Sequence, residues 1–231
     1  MSSERHIAVQ RTARYYVLGE AGAGTREVWF VLHGYGQLAG RFIDYCQALD
    51  DGTRLVVAPE ALNRFYTVAA ADRNAATRPV GATWMTREDR EREIADYVAY
   101  LDDVYVRVMA PLDRGAVRIS VLGFSQGTAT AARWLARGSR VRADELVLWG
   151  GTLPPELEAA TARAQLGAPV TLVVGTRDGF ADDATVRAEE ARLVAAGITY
   201  RIRRFEGGHV IDAATLVAIA SEPLGAERAG R

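Results

Sequence analysis

Hydrophobic positions follow two periods along this chain, and the alternation between them predicts its elements. Glu27-Val-Trp-Phe-Val-Leu32 is nearly continuous in apolar residues, as a strand covered on both faces should be. Arg54 to Ala58, Val117 to Gly123, Glu145 to Trp149 and Pro169 to Val174 share that character, and Pro59, Gly150 and Gly175 punctuate their ends. Thr199 to Phe205 alternates enough to sit at a sheet edge, and His6 to Leu18 alternates in parts. Between the strands the period changes. Ile94, Tyr97, Val98, Leu101, Val104, Tyr105, Val108 and Leu112 recur at spacings of three and four, giving a long amphipathic helix; the arginines and acids from Arg87 to Asp103 form its solvated face. Further helices are predicted over residues 39–49, over the Ala-rich run that follows Ser125, over 156–166, over 183–196 with Asp183 as a cap and Gly197 as a stop, and from Ile211 to about Ser221. Strands alternating with helices imply a largely parallel sheet wrapped on both faces, in one domain spanning residues 1–231 with a core of about 6–222.

Two stretches break the pattern. Gly19-Glu-Ala-Gly-Ala-Gly24 precedes a strand instead of joining a strand to a helix, so it is expected to form a hairpin turn and not a nucleotide loop. Glu60 to Trp84 has no sustained period, and a loop of that length in a compact domain usually lines a site. It is expected to be an elaborated excursion between strand and helix, near the pocket and short of a lid domain. Just beyond it, Thr86 is expected to cap the long helix, with the Asp89 carboxylate three residues on.

Composition narrows the class. At 231 residues, 49% hydrophobic and 25% charged, the chain can bury a sizeable core. Its formal charge of -1 gives no bulk attraction to nucleic acid or anionic lipid. No apolar stretch reaches the length of about eighteen residues that suggests a membrane span, and Met-Ser-Ser-Glu-Arg-His lacks the basic start and apolar core of a leader. The expectation is a cytoplasmic protein with no nucleic-acid partner and no stable membrane insertion, a monomer or a homodimer. Cys46 is the only cysteine and is expected to be a buried thiol on a helix face.

The chemistry centres on Gly123-Phe-Ser125-Gln-Gly127, set between a β-branched strand and an Ala-rich helix. Small residues on both sides of the serine let strand and helix approach closely, so the hydroxyl projects from a strained turn, the nucleophile elbow of a serine hydrolase. Such a hydroxyl needs a base held in one tautomer by a carboxylate. The chain has three histidines, His6, His33 and His209. The order serine, acid, histidine selects His209, leaving His33 as a loop organiser and His6 as a surface residue. Between nucleophile and base, Asp144, Glu156, Asp178, Asp182 and Asp183 are available; Asp178 alone follows a buried strand directly through a tight turn. His33-Gly34, Ser125, Asp178 and His209 all follow predicted strands and so share the sheet edge where sites form. The backbone N–H groups of Tyr35 and Gln126 are the expected oxyanion donors, with Gly34 and Gly36 shaping the first of the two loops. Three scattered histidines make no metal cluster, and no cofactor is expected.

His33-Gly-Tyr-Gly36, Gly123-Phe-Ser-Gln-Gly127, Gly175-Thr-Arg-Asp178 and Gly207-Gly-His209 together resemble the phospholipase/carboxylesterase family, the group of acyl-protein thioesterases and small carboxylesterases within the α/β-hydrolases. The resemblance runs over essentially the whole chain and implies a compact α/β-hydrolase without a separate lid domain. Two departures bear on the substrate. Trp84-Met-Thr-Arg stands where the family often has Trp-Phe-Asp, and Asp178-Gly-Phe-Ala replaces an Asp followed by a Val-Pro turn. Phe65, Tyr66, Trp84, Trp149, Leu153 and Phe180 lie in loops on the active edge and are candidates to line an apolar pocket. Arg64, Arg73, Arg78 or Arg177 near the mouth would favour an anionic leaving group.

These readings lead to an expected carboxylesterase acting on a small acyl ester of short to medium chain. A lysophospholipase or acyl thioesterase would use the same triad, and a binding protein without turnover would use the same fold.

Overall fold

The computed structural model describes residues 2–68, 78–222 and 224. Arg73, Asn74 and the tail beyond Leu224 lie outside the described residues. The chain runs β1 (Tyr15–Leu18), β2 (Glu27–Leu32), α1 (Ala39–Phe42), a 3-10 helix (Ile43–Leu49), β3 (Arg54–Pro59), β4 (Asn63–Tyr66), β5 (Val80–Thr83) and α2 (Arg90–Met109). It continues through β6 (Arg118–Phe124), α3 (Gln126–Arg137), β7 (Glu145–Trp149), α4 (Ala159–Leu166), β8 (Val170–Gly175), α5 (Asp183–Ala195), β9 (Tyr200–Phe205) and α6 (Ala213–Ser221).

Seven strands form one sheet in the order β1-β3-β2-β6-β7-β8-β9, parallel throughout except for β1, which runs antiparallel to β3. Residues of β2, β6, β7 and β8 are buried on both faces, which accounts for their unbroken apolar runs. Val28, Phe30 and Leu32 face a core shared with α2 to α5, while Trp29 and Val31 face a second core under the 3-10 helix and α6. Register places Leu32 beside Gly123, and Phe124 beside Trp149, so the loops after these strands emerge together.

Several local expectations are corrected. Because β1 pairs with β3 and not with β2, the 19–24 turn is a connection that carries the chain past β3, not a hairpin. Residues 39–49 make one α-turn and then a 3-10 helix; spacing by three serves both geometries, and Phe42, Ile43, Cys46 and Leu49 still face inward. The 60–84 excursion contains a two-stranded antiparallel hairpin, β4 with β5, bound to the loop after β2 through the Gly36 N–H to the Ala82 carbonyl at 2.8 Å. Thr86 does not cap α2. Its hydroxyl accepts from the Glu88 N–H at 3.1 Å, closing a preceding turn, and the helix begins after Asp89, which adopts a left-handed conformation at φ 45°. Asp182, not Asp183, caps α5 by accepting from the Thr185 N–H at 2.8 Å.

The junction of β6 and α3 is the tightest packing in the fold that bears on the site. A Cβ on Gly123 would lie 2.1 Å from the Gly127 carbonyl oxygen, and one on Gly127 would lie 2.3 Å from the Leu32 carbonyl oxygen. Gly123→Ala should therefore force strand and helix apart. Overpacking of this kind costs about 1–3 kcal/mol, so thermal unfolding of this variant should fall several degrees below the parent; an unchanged transition temperature would contradict the packing.

Candidate active site

Ser125 occupies the turn between β6 and α3 at φ 54° and ψ −118°, a region that side-chain-bearing residues rarely visit. The conformation is held from both sides. The Ser125 N–H donates to the Trp149 carbonyl at 2.9 Å, and the Ser125 carbonyl accepts from the Thr128 N–H at 3.0 Å and the Thr128 hydroxyl at 2.7 Å. Among the described residues the Ser125 hydroxyl itself has no hydrogen-bond partner, which leaves it available at the sheet edge.

Asp178 and His209 leave the ends of β8 and β9. The turn after Gly175 closes through the Asp178 N–H to the Gly175 carbonyl at 3.0 Å, burying the carboxylate. Its Oδ2 lies 2.8 Å from His209 Nδ1, and its Oδ1 accepts from the Phe180 N–H at 2.9 Å. A carboxylate can only accept here, so Nδ1 carries the proton in the neutral ring and Nε2 keeps its lone pair. The imidazole is also walled in: its ring centroid lies 4.8 Å from Phe124 and 4.8 Å from Phe180. Phe124 immediately precedes Ser125, so His209 sits beside the elbow. Gly150, at φ 64°, passes beneath the ring; a Cβ there would be 2.8 Å from His209 Cε1. In the sequence Gly150 signals only the end of β7, and nothing there announces its contact with His209. The other candidate carboxylates named from the sequence are engaged elsewhere. Asp144 pairs with Arg114, Glu156 with Arg133 and Arg90, and Asp183 with Arg204, while Asp182 caps α5.

The loop after β2 completes the cleft. A Cβ on Gly34 would meet Ser125 Cβ at 3.1 Å, so this backbone lies directly against the elbow. The Gly34 N–H donates to Gln37 Oε1 at 2.7 Å, and Gly36 is tied to β5. Among the described residues, no acceptor takes the N–H of Tyr35 or of Gln126. His33, fully buried, organises the loop: its Nε2 accepts from the Ala61 N–H at 3.1 Å and its Nδ1–H donates to the Gly34 carbonyl at 2.8 Å. Burial pushes its pKa down to about 4, so it is neutral. The Gln126 side chain reaches in the other direction, donating to Thr83 Oγ1 at 2.9 Å and the Met85 carbonyl at 3.0 Å and accepting from the Trp84 N–H at 3.2 Å. The residue after the serine carries no sequence signal for this role of its side chain.

The expected pocket residues divide. Trp84, Trp149 and Leu153 are buried in the cores and do not line an open pocket. Their polar atoms explain this placement: Trp84 Nε1 donates to the His33 carbonyl, Trp149 Nε1 to the Val210 carbonyl, each at 2.8 Å, and the Leu153 N–H to Glu189 Oε1 at 3.0 Å. Phe65 packs on Tyr35 with centroids 5.1 Å apart, and Tyr66 is half-exposed under the Arg78 guanidinium. Phe180 is exposed over His209. The arginines near the mouth are engaged: Arg64 with buried Glu60, Arg177 with Glu206, and Arg78 with Tyr66 and the Val68 carbonyl. Arg73 lies outside the described residues.

His33 makes the loop sensitive to acid. The unfolded chain protonates a free imidazole near pH 6.5, whereas the folded protein resists until about 4. Stability is therefore full above about pH 6.5, falls as pH drops through that window, and levels off below it, the loss being a few kcal/mol at most. Urea unfolding at about pH 7 and about pH 5 should show that slope in the parent and a flatter one in His33→Gln; equal slopes would exclude His33 as its source.

No family model and no curated protein matches the chain. Solved structures do. It is similar to esterase PE8 at 20% identity and a TM-score of 0.65, over 91% of this chain and 97% of that one. It is similar to Zea mays acyl-protein thioesterase 2 at 17% identity and 0.65, again over 91% and 97%. A phospholipase/carboxylesterase from Dyadobacter fermentans matches at 16% identity and 0.61, over 93% and 98%. What this chain shares with them, along nearly its whole length, is the α/β-hydrolase fold.

Proposed function

We propose that this protein is a serine hydrolase that cleaves carboxylic esters of short to medium acyl chains. The observation that carries the reading is the His209–Asp178 pair, 2.8 Å apart, on the same sheet edge as a serine held at φ 54° at the end of β6. Fold stability does not call for that combination. Similar structures named for ester and thioester cleavage support the same class of reaction.

In the proposed reaction, His209 Nε2 takes the Ser125 proton as Oγ bonds to the ester carbonyl carbon. The charge that develops on the carbonyl oxygen is met by the Tyr35 and Gln126 N–H groups. The intermediate collapses, the carbon–oxygen bond to the alcohol breaks, and His209 returns its proton to the departing oxygen. Water, activated by the same imidazole, then releases the acid and restores Ser125. Asp178 holds the ring in the tautomer that every step uses. The substrate is a small molecule, and no step needs a metal or cofactor.

Hydrolysis of p-nitrophenyl esters from acetyl to palmitoyl, beside matched thioesters, tests the reading. Ser125→Ala should abolish turnover and labelling by a fluorophosphonate probe, and activity should peak at the shorter acyl chains. A peak at long chains or on thioesters would move the assignment to lysophospholipids or acyl thioesters, and absence of Ser125-dependent turnover would overturn it. Asp178→Asn should leave the fold intact and lower kcat by about 10³–10⁴-fold; a small effect would remove Asp178 from the mechanism.

A further inference from the structure

Among the described side chains, Phe180 combines exposure with contact to the candidate base in a way no other does. It is 79% exposed, yet its ring lies 4.8 Å from that of His209, on the imidazole that also meets Phe124. A single exposed phenylalanine is ordinary. This one is pinned. Its N–H is held at 2.9 Å by Asp178 Oδ1, while the other oxygen of the same carboxylate holds His209. One buried carboxylate thus anchors both the backbone that carries the Phe180 ring and the His209 imidazole itself.

Resting on the proposed esterase chemistry, we infer that Phe180 forms the leaving-group subsite and favours esters of aryl-bearing or other flat apolar alcohols. The geometry of acyl transfer sorts the two halves of the substrate. The carbonyl oxygen turns toward the Tyr35 and Gln126 N–H groups, whereas the departing alcohol receives its proton from His209 Nε2 and must lie beside that ring. Phe180 borders the imidazole and presents its outer surface to solvent. Val210, next in the chain after His209, is 54% exposed and adds apolar surface to the rim. The arginines near the mouth that are described are already paired or stacked, so the surroundings favour an apolar leaving group over an anionic one. An aromatic ring laid on Phe180 would gain the attraction of an offset or edge-to-face pair.

Benzyl acetate and ethyl acetate share their acyl group and differ in the alcohol. The ratio of their kcat/KM values should fall about five- to tenfold in Phe180→Ala, partly recover in Phe180→Leu and return in Phe180→Tyr. The ratio of butyrate to acetate esters of one alcohol should stay where it is in the parent. An unchanged benzyl-to-ethyl ratio, or a change that follows the acyl chain instead, would overturn the subsite. A second readout needs no turnover. Benzyl alcohol titrated into the protein should shift the His209 Hε1 resonance saturably in the parent and not in Phe180→Ala, with His6 and His33 as internal references. Saturable binding without any ester hydrolysis would leave the subsite standing and sink the esterase reading; hydrolysis without this dependence on Phe180 would do the reverse.

Discussion

The close approach of β6 to α3 is the constraint on which the rest of the site depends. With no side chain at 123 or 127, the helix starts almost on top of the strand, and the residue between them has no room for an ordinary backbone conformation. Its strain is offset by bonds to Trp149 and Thr128, so the turn is part of the sheet's own hydrogen-bond system and not an appended loop. Because Gly127 packs on the Leu32 carbonyl, the same contact also brings the loop after β2 against Ser125. One packing event therefore sets Ser125 and the Gly34–Gly36 loop together.

Around that contact lies a set of buried polar groups whose bonds tie loops to one another and to neighbouring strands and helices. His33 ties its own loop to Ala61, Trp84 ties the excursion back to His33, and Gln126 ties the start of α3 to Thr83 and Met85. Glu60, its side chain buried, accepts from Arg14, Arg64 and the Ala39 N–H. Burial alone would raise its pKa, but the two guanidiniums outweigh that and hold it below the usual carboxylate range. Each bond satisfies a group that would be costly to leave unpaired, and each fixes a loop at the cleft. Cleft geometry and stability are here properties of the same bonds.

The sequence made the parallel strands legible because burial on both faces leaves an unbroken apolar run, and the elbow legible because a glycine-flanked serine between strand and helix has few structural alternatives. Strand partners were not legible: β1 reads as extended whichever strand it joins, and its pairing with β3 is decided by long-range packing. The β4–β5 hairpin escaped because each strand has only four residues, β4 partly exposed throughout and β5 buried at three positions, too short a run to show a period. Trp84 and Trp149 read equally as rim or core until the partner of each indole N–H is known, and those partners are backbone carbonyls inside the fold. Gly150 carries no side chain to announce itself, although its φ of 64° lets the chain pass beneath His209.

The outer strand β9 reads Tyr200-Arg-Ile-Arg-Arg-Phe205, with Arg201 held by Glu145, Arg203 by Glu222 and Arg204 by Asp183. An open strand edge is a template on which another chain can zip. Here a second copy adding its own β9 would crowd these paired arginines against their counterparts, and accommodating them would disturb the ion pairs with Glu222 and Asp183. The side of the sheet nearest His209 is in this way a poor template for a second copy, and the charges that close it lie on the strand that ends beside the cleft.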